Sequence, residues 1–97
     1  MARKYLRIAE VVEISGVDEQ FIRELEREAV IRPVIRQKRK FYTLDQVDRV
    51  RIARLLVEEM GVNMAGAEVA LHMREQMIAM QRQFNDLLRL IGRQLKQ

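Results

Sequence analysis

The chain has 97 residues, a hydrophobic fraction of 48%, a charged fraction of 33% and a formal net charge of +4. This size supports one domain, and one Pro and four Gly leave little room for a sandwich or barrel. With no Cys, one His (His72) and no nucleotide-binding or hydrolase motif, the sequence does not support catalysis, a metal site or a cofactor. No apolar run resembles a signal peptide or a bilayer span, so we expect a cytoplasmic protein that is neither an enzyme nor membrane-associated.

The charges are distributed unevenly along the chain. Residues 10–28 contain seven acidic and two basic side chains, a local balance of −5. Residues 32–54 contain eight basic and two acidic side chains, a local balance of +6. The sequence therefore predicts an acidic surface followed by a basic one, and a function has to account for both.

Two short amphipathic helices are predicted at the start of the chain. The first covers residues 8–15 and is followed by Gly16, which can take the left-handed conformation that ends a helix. Asp18 is suited to cap the second helix, and Pro33 is expected to end it. The residues predicted to form the buried stripe of the second helix are Phe21, Ile22, Leu25 and Ala29. Two such helices with a tight turn between them are typical of a helix-turn-helix.

A small hairpin and a third helix are predicted next. The strands are expected at residues 34–36 and 40–42, around a turn at 37–39. Thr43, with Gln46 three residues later, has the spacing of a capping box at the start of the third helix. We expect Gly61 to end this helix. Its predicted buried side chains are Val47, Val50, Ala53, Val57 and Met60.

The last predicted helix begins after Asn63 and carries a heptad repeat of apolar residues. The repeat consists of Met73, Met77, Met80, Phe84, Leu87 and Ile91, widened by Leu88 and Leu95. A helix that folded back on its own headpiece could cover part of this stripe. The stripe is too long for a headpiece of about 60 residues to cover, so we expect a homodimer. We therefore divide the chain into a headpiece at 1–62 and a coiled-coil dimerisation helix at 63–97.

Five segments of the chain carry a recognisable pattern: LRIAEVV (6–12), SGV (15–17), VIRP (30–33), RKFYT (39–43) and GVNMAG (61–66). Together they resemble the MerR family, and the similarity covers roughly residues 5–80. The last of these is the most specific and resembles the heat-shock branch of the family. The resemblance implies an all-α fold: a winged helix-turn-helix headpiece with a small β-hairpin wing, then a long dimerisation helix that packs antiparallel.

The heat-shock branch contains two kinds of protein, and the first binds operator DNA as HspR-type repressors do. In DNA-binding relatives the second helix enters the major groove and the wing contacts phosphates. The residues that would bind double-stranded DNA here are Arg23, Arg36, Lys38, Arg39, Lys40 and Tyr42. The second helix does not fit this interpretation well, because acidic residues occupy positions that would face phosphates.

The second kind comprises chaperone modulators of the CbpM type, which bind the J-domain of a DnaJ-like co-chaperone. J-domains carry a basic helix, so an acidic surface would favour encounter and orientation. The residues predicted to bind it, here called the acidic face, are Asp18, Glu19, Glu24 and Glu28. We favour this interpretation over the DNA-binding repressor, and both over a purely structural dimer that would leave the charged patches without a role.

Overall fold

A computed structural model describes residues 5–96 of the chain. The elements in chain order are α1 (Ile8–Ser15), α2 (Glu19–Arg27), β1 (Val34–Arg36), β2 (Arg39–Phe41), α3 (Leu44–Arg54), a π-helical segment (Leu55–Glu59) and α4 (Met64–Leu95). The predicted architecture is confirmed: a mostly helical chain with one antiparallel hairpin and a long last helix. Among the described residues, no helix combines the length and the apolar character needed to cross a membrane.

The turn between α1 and α2 has the local geometry that the sequence predicts. Gly16 ends α1 in the left-handed region at φ 75°, and its N–H donates to the Val12 carbonyl at 2.9 Å. The Asp18 carboxylate caps α2 by accepting the Phe21 N–H at 2.8 Å. The Arg54 guanidinium donates to the Ser15 carbonyl at 3.3 Å, so α3 stabilises the end of α1. The two helices of the helix-turn-helix are thereby held in a fixed relation to α3.

The second helix ends earlier than predicted. It stops at Arg27, six residues before Pro33, and Ala29 is an exposed residue with φ 57° rather than part of the buried stripe. The prediction was wrong because this left-handed turn redirects the chain. It brings Val30 and Ile31, each 1% exposed, into the core, and the Val30 N–H donates to the Leu25 carbonyl at 2.8 Å.

The wing is a tight hairpin whose strands pair Val34 with Phe41, Ile35 with Lys40 and Arg36 with Arg39. Gln37 and Lys38 form a two-residue turn with φ 50° and 63°, the positive values that match the twist of a hairpin. The second strand therefore begins one residue earlier than predicted. Tyr42 follows it and pairs with Leu6 through two backbone hydrogen bonds of 2.7 and 2.8 Å, which attach the wing to the start of the chain.

The third helix begins as predicted, but the Gln46 side chain does not complete the capping box that its spacing predicts. The Thr43 hydroxyl accepts the Gln46 N–H at 3.3 Å, whereas the Gln46 side chain accepts the Arg32 N–H at 2.7 Å instead of returning to the cap. Helix α3 continues into the π-helical segment, whose wider turn changes the phase of the apolar positions. Met60 is therefore exposed rather than buried, while Val47, Val50 and Ala53 are in the core as predicted.

The core is formed by the headpiece together with the first turns of α4. Leu71 of α4 is 1% exposed and belongs to the same cluster as Ile22, Leu25 and Val50. Two ion pairs attach the adjoining turns of α4 to α3: Arg49 with Glu75, and Asp48 with Arg74 at 3.5 Å. The remainder of α4 extends away, so the molecule is elongated, 57 Å in its longest dimension.

Candidate functional site

The outer surface of α2 carries the acidic face. Phe21, Ile22 and Leu25 are buried on the inner side of the helix, and this fixes which residues point outwards. Asp18, Glu19 and Glu28 are exposed and Glu24 is half-buried, so the structure places all four along one short helix and its two caps. The apolar spacing of Phe21, Ile22 and Leu25 predicts which side of the helix is buried, and these three residues are buried.

Two arginines lie on the same surface as the acidic face. Arg23 is paired with Glu19 at 3.2 Å, and each side chain is about half exposed. Arg27 is exposed in the last turn of α2. Because the Arg23 guanidinium already faces a carboxylate, its charge is partly compensated before any partner binds. Four carboxylates and two guanidiniums leave this surface with a formal charge of −2.

Glu26 connects α2 to the wing, and sequence reasoning did not identify this role. One carboxylate oxygen lies 2.7 Å from the Lys40 ammonium, and the other lies 3.4 Å from the Tyr42 hydroxyl. Burial and the neighbouring Glu26 charge raise the pKa of Tyr42 to about 12. Tyr42 is 1% exposed, so its inclusion among the predicted DNA contacts needs correction: its ring packs in the core and its hydroxyl faces Glu26.

The basic residues of the wing do not form one cluster, as the sequence suggested, but lie on two faces. Side chains alternate along a strand, so Arg36 and Arg39 share one face of the hairpin, while Lys40 lies on the other with Ile35. The Arg36 guanidinium lies over the Tyr5 ring at 4.8 Å from its centre, away from α2. On the α2 side, Lys40 is held by Glu26. Lys38 is exposed in the turn.

The chain as a whole is similar to a known family. The family model described as MerR HTH family regulatory protein matches residues 6–89, which is most of the sequence. The chain belongs to the MerR family. A comparison with curated proteins found no match. The MerR match confirms the family resemblance and assigns a regulatory helix-turn-helix; membership of the heat-shock branch stays a prediction.

The long helix of this MerR-family chain presents its heptad repeat to solvent. All eight predicted interface side chains are 45–80% exposed: Met73, Met77, Met80, Phe84, Leu87, Leu88, Ile91 and Leu95. The part of the headpiece that the structure describes does not cover this stripe, so a helix folded back on its own headpiece is not what the chain adopts. The apolar face is thus available to another molecule.

The junction between the headpiece and α4 contains a polar cluster that the sequence did not reveal. The Arg49 guanidinium donates to the Val30 carbonyl at 2.7 Å and pairs with Glu75 of α4. Burial lowers the pKa of Arg49, although Glu68 opposes this effect. His72 was expected on a solvent-facing helix position; it is exposed, and its ring nitrogen lies 3.2 Å from the Gln76 amide. The cluster connects the chain after α2 to the base of the long helix.

Proposed function

We propose that this MerR-family regulator acts by binding a protein, the J-domain of a DnaJ-like co-chaperone, through the acidic face of α2. The observation that carries the proposal is the position of the four carboxylates. Glu19 and Glu28 are exposed and Glu24 is half-buried on the helix that, in a DNA-binding relative, would lie in the major groove, and Asp18 caps the start of this helix. The proposal makes the chain a regulator of another protein's activity rather than an enzyme.

Electrostatics favours a basic protein over DNA as the ligand of this surface. Two unit charges 4 Å apart interact by about 1 kcal/mol in water and by more near a protein surface. Several carboxylates facing phosphates would therefore cancel much of the attraction that the wing could supply. On the side of the wing that faces α2, the attraction for phosphates is weaker than the composition of the wing suggests. Lys40 is paired with Glu26 there, and Arg36 lies over Tyr5 on the opposite face.

The choice of a J-domain rests on the resemblance of the chain to chaperone modulators and on charge complementarity. Such modulators tend to carry acidic and apolar residues where DNA-binding members read the groove, and the segments at 16–19 and 30–33 resemble that pattern. A J-domain presents a basic helix, and opposite charges accelerate encounter and fix the relative orientation of two proteins. Along α2 that helix would meet Glu19, Glu24 and Glu28 together with Arg23 and Arg27.

We further propose that two copies of the chain pair through α4. The side chains of the stripe are 45–80% exposed. A monomer therefore forgoes favourable burial of roughly 1.5–3 kcal/mol for each large side chain. The heptad spacing is the one that allows two helices to interdigitate. A dimer would present two acidic faces, one from each headpiece.

The binding proposal is tested by calorimetric titration of a purified J-domain into the full chain. The double variant Glu19→Lys with Glu24→Lys should weaken binding at least tenfold, because it reverses two charges of the acidic face. Glu59→Lys with Asp86→Lys is the matched control. It makes the same change in net charge on the π-helical segment and the outer half of α4 and should bind like the wild type. Equal binding by both double variants would contradict the proposal.

The second candidate is a DNA-binding regulator, which the family match accommodates equally well. It is favoured by three exposed cations of the wing, Arg36, Lys38 and Arg39. Phosphate contacts make affinity fall steeply with salt, whereas base contacts provide specificity. Titration of promoter DNA at low and physiological salt distinguishes the two candidates. Sub-micromolar, sequence-dependent binding that survives physiological salt would favour the DNA-binding regulator.

A further inference from the structure

We infer that Met73, Met77 and Met80 form an oxidation site that controls the pairing of two chains through α4. A peroxide oxidises their thioethers to sulfoxides, and the oxidised stripe no longer pairs. The inference rests on the proposed pairing and does not depend on the acidic face. It adds a modification site, and a peroxide as its co-reactant, to a stripe that is otherwise only an apolar surface.

The sulfur atoms of the stripe are concentrated in its inner half. The chain has six Met and no Cys, so methionine supplies all of its sulfur. Three of the six occupy the successive heptad positions 73, 77 and 80, whereas the outer half of the stripe consists of Phe84 and aliphatic side chains. Residues three and four apart are neighbours on a helix, so the three thioethers share one face of α4. An oxidant can therefore change the inner half of the stripe chemically but not the outer half.

The three thioethers are accessible in the single chain. Met73 is 57% exposed, Met77 68% and Met80 66%, and oxidation of a sulfur side chain requires this exposure. Pairing covers the same side chains, so the oxidant reaches them in the unpaired chain. Each oxidised chain is withdrawn from the equilibrium with the dimer, because modification of one state shifts the population towards it. The modification therefore traps the single chain.

The reaction with hydrogen peroxide balances at the sulfur atom. A lone pair of the thioether attacks one peroxide oxygen, the O–O bond breaks and an S–O bond forms. The sulfur gives up two electrons and the peroxide is reduced. The second oxygen takes up the remaining proton and leaves as water. The product is a methionine sulfoxide, which sulfoxide reductases return to the thioether.

A sulfoxide does not suit a buried apolar seam. Oxidation turns a flexible apolar side chain into a polar one, and a polar group buried without a hydrogen-bond partner is unfavourable. Two fully oxidised chains would bring six such groups into the interface, three from each chain. We expect full oxidation to raise the dissociation constant of the pair at least about a hundredfold.

The test measures the mass of the full chain by light scattering before and after treatment with hydrogen peroxide, while peptide mass spectrometry locates the sulfoxides. The wild type should be dimeric before treatment and monomeric once residues 73, 77 and 80 are oxidised. Treatment with methionine sulfoxide reductases should restore the dimer. The triple variant Met73→Leu, Met77→Leu and Met80→Leu keeps the apolar volume of the stripe, so it should pair and remain dimeric in peroxide.

Met60 provides a matched control. Its side chain is 65% exposed and follows the π-helical segment, outside the heptad repeat. Met60→Leu should leave the response of the dimer to peroxide unchanged. In the wild type, oxidation at residues 73, 77 and 80 should slow as the protein concentration rises above the dissociation constant, whereas oxidation at Met60 should not.

The outcomes separate the oxidation site from the pairing itself. If the untreated wild type is a dimer and stays one with all three sulfoxides present, the oxidation site is wrong and the pairing stands. Dissociation of the triple Leu variant by peroxide would also overturn it, because the effect would then come from another residue. A monomeric untreated chain would overturn both, whereas the acidic face is judged by its own titration with a J-domain.

Discussion

At the scale of single residues, one carboxylate connects the two parts of the candidate surface. Glu26 pairs with Lys40 and lies beside the Tyr42 hydroxyl, and all three belong to segments that are distant in sequence. Such a contact could not be read from local spacing, because it depends on where the wing packs. The structure shows that Glu26 and Lys40 partly neutralise one another.

The raised pKa of Tyr42 predicts a loss of stability in alkali. Folded and unfolded chains both keep the phenol proton below pH 10; as the pH rises towards about 12, the unfolded chain loses it first. The free energy of unfolding should therefore fall over this window, by roughly 1 kcal/mol between pH 9 and pH 11. Tyr42→Phe should remove this contribution, and urea unfolding at pH 9 and pH 11 measures it. Tyr5→Phe serves as the control and should keep the wild-type dependence.

At the scale of the elements, the long helix α4 has two different environments. Leu71 is buried in the headpiece, whereas Met77, Phe84 and Leu95 beyond it are 59–80% exposed. One helix thus completes the core with its first turns and presents an apolar stripe with the rest. Arg49 and Glu75 fix the direction in which the stripe leaves the headpiece.

A charge in the middle of the stripe should abolish pairing of two chains. Phe84→Asp places a carboxylate at a heptad position that would be buried in a dimer, and desolvation of that charge costs more than the remaining contacts supply. We expect light scattering to report a dimer for the wild type and a monomer for Phe84→Asp. Asp86→Ala, a change on the same helix outside the repeat, should remain dimeric. An unchanged mass for Phe84→Asp would contradict the role of the stripe.

The elements show which kinds of structure the sequence predicts well. Caps and apolar spacing gave the starts of α2, α3 and α4, because Asp18, Thr43 and Asn63 act on amides only a few residues away. The errors at Ala29 and Met60 have another origin. A left-handed turn at Ala29 and a π-helical segment before Met60 change the direction of the chain without a distinctive residue. At Ala29 the packing of Val30 and Ile31 in the core decides where the chain goes.

At the scale of the whole molecule, charge is separated between two surfaces of the headpiece. The acidic face shares the exposed side of α2 with Arg23 and Arg27, while Arg36 and Arg39 lie on the wing face turned towards Tyr5. The sequence pattern predicted an acidic surface on α2, but it could not show that the wing divides its cations between two faces. That division depends on the register of two three-residue strands. An error of one residue in the predicted register would move each side chain to the other face of the hairpin.

The most direct measurement is an amide chemical-shift map of the full chain, recorded during separate additions of a purified J-domain and of promoter DNA at physiological salt. If the acidic face binds the J-domain, addition of the J-domain should shift the amides of Glu19, Arg23 and Glu24 and leave the outer half of α4 unchanged. DNA should produce only weak changes, confined to the wing. Sequence-dependent shifts of the α2 amides with DNA, and none with the J-domain, would contradict the account.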